Sequence, residues 1–66
     1  MFNLKKAVKR LAAEHDWTQH EIAYHAGITQ SHLSLTIKKQ NPTLTTLTKL
    51  SNAFGLPLSE FILEGE

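Results

Sequence analysis

The chain has 66 residues, 41% of them hydrophobic, no cysteine, and a formal net charge of +1 with histidine neutral. That length allows one small core, that apolar fraction is ordinary for a folded domain rather than a disordered tail, and the missing cysteines exclude disulfides and thiolate metal sites. No apolar run approaches the ~20 residues that span a bilayer and no secretory pattern opens the chain, so the expectation is a single domain, residues 1–66, in the cytoplasm with no membrane partner.

A charge of +1 says little about partners as a sum. Its distribution says more. Lys5, Lys6, Lys9 and Arg10 crowd the first stretch, Lys38 and Lys39 form a second basic pair, and Glu60, Glu64 and Glu66 make the C-terminus acidic. This polarity suits a molecule that turns one face toward an anion and the other away.

In chain order, Asn3 is a candidate N-cap, and Leu4, Ala7, Val8 and Leu11 recur at helical spacing through about His15. Thr18 followed three residues later by Glu21 is a capping box, with Trp17 and Ile22 placed to staple it. A second helix therefore runs from about Gln19 to Ala26, burying Ile22, Ala23 and Ala26, and Gly27 supplies its left-handed end. Thr29 repeats the device for a third helix, about Gln30 to Lys38, with Ile28 and Leu33 as the staple and Ile37 buried. Asn41-Pro42 breaks the pattern. Thr43 caps a fourth helix with the stripe Leu44, Leu47, Leu50 and Phe54, ended by Gly55 with Leu56 behind. Pro57 opens a short fifth helix of about six residues. No alternation of period two appears, so the fold class is all-α, five helices on one core.

Within this plan, Ala23, Gly27 and Leu33 stand fifth, ninth and fifteenth counting from Gln19 as first. That is the spacing of a DNA-binding helix-turn-helix, motif about 18–38. Ala23 is small where the second helix of the pair crosses, Gly27 makes the turn, and the apolar trio Ile22, Ile28 and Leu33 locks the two. The stretches TQHEIAYHAGITQSHLS and NPTLTTLTKLSNAFGLPLSEFI together resemble the lambda repressor-like, Cro/CI (XRE) helix-turn-helix family. The resemblance runs from the first helix to Ile62. Ile37 stands where the family commonly has glutamate and Lys39 near its usual glycine, so the loop from Lys38 to Thr43 is expected to differ in conformation.

On a helical wheel of the third helix, Ser31 and Leu35 fall about 160° and about 200° from Leu33, away from the core, with His32, Lys38 and Lys39 beside them. Gln30 sits at the exposed start. Glutamine can pair bidentately with adenine, and an apolar tip can touch a thymine methyl. The resemblance implies that Gln30, Ser31 and Leu35 read bases. It also implies that Gln19, at the positive end of the second helix, binds phosphate. Lys38, Lys39 and Asn41 are further backbone candidates, and His32 could donate to a phosphate when protonated.

His15, His20 and His25 are spaced by five, which puts neighbours about 140° apart on a helix, so no metal site is expected. No catalytic set, cofactor motif or effector domain is visible either, so neither an enzyme nor a small-molecule effector is expected. The fifth helix carries Leu58, Phe61, Ile62 and Leu63, more apolar surface than so short an element needs, and a homodimer is expected whose contact is built on these residues and the end of the fourth helix. Taken together, the reading is a small regulator of transcription, a repressor, prokaryotic or phage-encoded and nucleoid-associated when bound. It would bind double-stranded DNA at a palindromic operator. The rival is a protein-interaction module of the same fold without DNA affinity, which the low net charge and an outward leucine would suit.

Overall fold

The computed structural model describes residues 1–66 as five helices without a strand: α1 (Leu4–His15), α2 (Gln19–Ala26), α3 (Gln30–Lys39), α4 (Leu44–Ala53) and α5 (Leu58–Glu64). No helix is long and apolar enough to cross a membrane. The expected bounds hold, except that α3 runs one residue further, to Lys39, and α5 is seven residues long.

Four helix starts share one device. The side chains of Asn3, Thr18, Thr29 and Thr43 accept from the amides of Lys6, Glu21, His32 and Thr46. Each such cap stabilises by about 1 kcal/mol. At Thr18 the box is complete, because its own amide donates to Glu21 Oε1 at 3.0 Å. Three helix ends share a second device. Asp16, Gly27 and Gly55 take left-handed backbone, and the next amide reaches back five residues: Trp17 to Ala12 O at 2.9 Å, Ile28 to Ala23 O at 3.0 Å, Leu56 to Ser51 O at 2.9 Å. Each of those three following side chains is half-buried against the core, which completes the motif.

One core gathers Leu4, Ala7, Val8 and Leu11 of α1, Ile22, Ala23 and Ala26 of α2, and Leu33 and Ile37 of α3, with α1 packed on α3 and α5 and α2 on α3 and α4. Leu50, Phe54 and Phe61 complete it. Leu44 departs from the expected stripe and is 67% exposed. Around α4 it lies within about 20° of the buried Ser51, so its place at the first residue of the helix, not its angle, leaves it uncovered, and Thr46 and Ser51 take buried positions. Thr46 remains paired there, accepting from Thr43 Oγ1 at 3.1 Å, and Ser51 donates to Thr48 O at 2.9 Å.

The expected separation of basic and acidic ends is corrected by the way the chain closes. Asn3 N donates to Gly65 O at 2.9 Å, so the C-terminus lies along the start of α1. Lys6 Nζ then donates to Glu66 O at 3.0 Å and Arg10 to Glu64 O at 3.3 Å. Half of the basic cluster is thus spent on the acidic tail, while Lys5 and Lys9 point elsewhere. Gly65 is buried in this clasp, and a Cβ there would stand 2.5 Å from the Phe2 ring and 2.7 Å from the Asn3 carbonyl oxygen.

Candidate nucleic-acid interface

α2 and α3 are joined by a turn in which Gly27 adopts φ 73 and ψ 30, a conformation that costs glycine little. Ala23 is buried at the crossing, and Leu33 is wholly inaccessible beneath it. The pair is therefore fixed by its core side, and the outer side of α3 is left uncovered. Gln30, Ser31, His32, Ser34, Leu35, Lys38 and Lys39 are all exposed, Leu35 by 51%, whereas Leu33, Thr36 and Ile37 are buried. Of the expected base-reading residues, Ser31 and Leu35 are exposed on this face and Gln30 is exposed at the start of the helix, turned to one side of it. Asn41 is exposed just beyond it, in the loop after α3.

Two hydrogen bonds tie the start of α2 to α3, and both escaped sequence reasoning. Ser34 Oγ donates to Gln19 Oε1 at 3.1 Å, which fixes the Gln19 amide with its NH2 group free. His20 Nδ1 lies 3.4 Å from Gln30 Oε1. The capping box uses the amides of Thr18 and Glu21, so those of Gln19 and His20 have no internal partner and can meet an anion at the positive helix end. Nearby, Lys5 and Lys9 stand one turn apart on α1 and share with Gln19 the rim of a cleft floored by Val8, Trp17 and Ile22.

The far end of α3 is held by a third unforeseen side chain. Gln40 takes the left-handed position after Lys39, φ 53, although it is not glycine. Its Oε1 accepts from the Leu4 amide at 3.0 Å, and its Nε2 donates to Asn3 Oδ1 at 3.2 Å. α3 is thereby anchored to the first turn of α1. No spacing rule could have found these pairs, since each joins elements that only the tertiary fold brings together.

The histidines also sort differently from a simple wheel. His15 and His25 both meet Trp17, His25 stacked on it at 4.3 Å between centroids and His15 edge-on at 4.8 Å. They are packing partners of an indole at the α1–α2 corner. No group of three His, Asp or Glu side chains is gathered as a metal ion would need.

On α5 the four apolar residues divide. Phe61 is wholly buried within its own subunit, 6.3 Å from the Phe54 ring and 6.1 Å from the Phe2 ring. The expectation that Phe61 faces a symmetry mate is therefore corrected. Leu58 and Ile62 are half-buried, and Leu63 is 66% exposed.

The sequence model of the helix-turn-helix family matches residues 8–61, which takes in the capped pair, its turn, the α4 stripe and Phe61. No curated protein and no solved structure matches the chain. With four-fifths of its length matched, and with the α2–turn–α3 geometry in place, the chain belongs to the Cro/CI-type helix-turn-helix family of DNA-binding regulators.

Proposed function

We propose that this chain is a sequence-specific repressor that places α3 in the major groove of double-stranded DNA. The observation that carries the reading is the outer face of α3, polar with one apolar tip, uncovered by any other element and held rigid from behind. Gln30 and Ser31 supply hydrogen bonds to base edges, and Leu35 supplies apolar contact suited to a thymine methyl. Gln19, His32, Lys38, Lys39 and Asn41 bind phosphates and set the register without reading sequence. Two subunits related by a dyad would present their α3 helices to successive grooves, about 34–36 Å apart, and block a promoter sterically.

Selection from a random duplex pool tests this. The expected result is a short inverted repeat whose half-sites lie about one helical turn apart. Binding to random duplex should also weaken steeply with salt, as phosphate contacts require. If no sequence is enriched and no salt-sensitive binding is measured at low ionic strength, the chain is instead a protein-interaction module of this fold.

A further inference from the structure

We infer that His20, on α2, is a positioning residue for base recognition: it orients the carboxamide of Gln30, and its protonation state sets how strictly that amide reads a base. The inference rests on the proposal that Gln30 contacts a base edge. Its own ground is the approach of His20 Nδ1 to Gln30 Oε1, 3.4 Å, across the α2–α3 turn.

A glutamine amide has two faces related by a half-turn about its last torsion, one offering oxygen where the other offers NH2. Adenine needs a particular face, because its N6 donates and its N7 accepts. Gln30 is exposed at the first position of α3, and no other protein group bonds its amide. His20 therefore decides between the two faces. When Nδ1 carries a proton it donates to Oε1, the oxygen keeps a second lone pair for adenine N6–H, and Nε2 is left for N7. The imidazolium always carries that proton. Neutral imidazole also exists as the tautomer with a bare Nδ1, which accepts instead and turns the amide over. Adenine is then met by the wrong face.

The surroundings leave this choice to His20 alone. The groove beside it is lined by Ala23, Tyr24, Ile28, Thr29 and Gln30, none of them a carboxylate, ammonium or guanidinium. Glu21, the adjacent carboxylate on α2, is engaged with Thr18 N and Oγ1 at 3.0 and 3.2 Å. From α3 the only facing group is the neutral amide itself.

The readout is the affinity ratio between the selected duplex and the same duplex changed at the Gln30 base pair, measured at about pH 5.5 and about pH 8, either side of the range where histidines titrate. Using a ratio cancels nonspecific gains from His32 and the other histidines, which raise both affinities alike. The parent should show a ratio about 3- to 10-fold larger at the lower pH, the scale of one hydrogen bond. His20→Ala should have the smaller ratio at both pH values. His20→Lys, whose ammonium has donors and no acceptor and stays charged across this range, should keep the larger ratio at both. His20 is exposed, so neither variant removes core. A parent ratio independent of pH, or a His20→Ala ratio equal to the parent's at the lower pH, overturns the inference. Gln30→Ala separates the two ideas. If it flattens preference at that base pair while His20→Ala does not, base reading stands and positioning falls; if it leaves every preference intact, both fall.

Discussion

Gln40 holds a left-handed backbone, φ 53 and ψ 37, that costs a residue with a Cβ about 1–2 kcal/mol. Its two bonds to Leu4 N and Asn3 Oδ1 offset that strain by seating α1 against the end of α3. Gln40→Ala keeps the strain and loses both bonds, so it should destabilise by about 1–2 kcal/mol. Gln40→Gly loses the bonds but relieves the strain, and should fall between alanine and the parent in thermal melts. A glycine variant melting above the parent would show that the bonds contribute less than the strain costs. Asp16, at φ 57, lacks any such side-chain bond, so Asp16→Gly should be neutral or stabilising by up to about 1 kcal/mol. At Gly65 the constraint is space rather than φ. Gly65→Ala must displace the Phe2 ring and the Asn3 backbone, and should cost about 1–3 kcal/mol, checked by chemical denaturation.

The α2–turn–α3 unit was legible because its rules are local. A threonine and a glutamate three residues apart make a box, and a glycine after an apolar turn makes an end. The end of α1 was less so, since aspartate fills the left-handed position that glycine fills elsewhere. Leu44 was misplaced because an apolar residue at the first position of a helix is covered only if a neighbour reaches it, and none does. The bonds that aim the outward face, Gln19 with Ser34 and His20 with Gln30, depend on how two helices cross, which periodicity does not encode. The crossing can be tested directly. Leu33→Ala leaves a cavity at a wholly buried site and should cost about 2–5 kcal/mol, and Ala23→Leu overpacks the crossing by about 1–3 kcal/mol. If both melt like the parent, the pair is not what holds α3. Lys38→Ala and Lys39→Ala leave the core intact and should each lower the salt slope of DNA binding by about one unit. Slopes unchanged in both would remove the end of α3 from the phosphate contacts.

At the scale of the molecule, the clasp between the termini decides which surface is left for a second subunit. Arg10 and Lys6 hold the carbonyls of Glu64 and Glu66, and Phe61 is sunk in the core, so α5 is fixed on two sides. What it turns outward is Leu63, with Leu58 and Ile62 half-buried beside it. A dyad contact on these three would cover the apolar strip, with Glu64 and Glu66 at its rim, and would be self-complementary as a two-fold interface must be. Phe61→Ala cannot test this contact, because it would hollow the subunit. Leu63→Glu can, since that side chain contributes little to the core. The variant should keep the parent's melting behaviour at low concentration but shift toward monomer in sedimentation equilibrium. Its affinity for a full palindrome should drop by about 10²–10⁴-fold, the advantage that linkage of two sites confers, while half-site binding stays near the parent's. A parent chain that remains monomeric at high micromolar concentration, both free and on the palindrome, would remove α5 from the assembly and leave each α3 to bind its half-site alone.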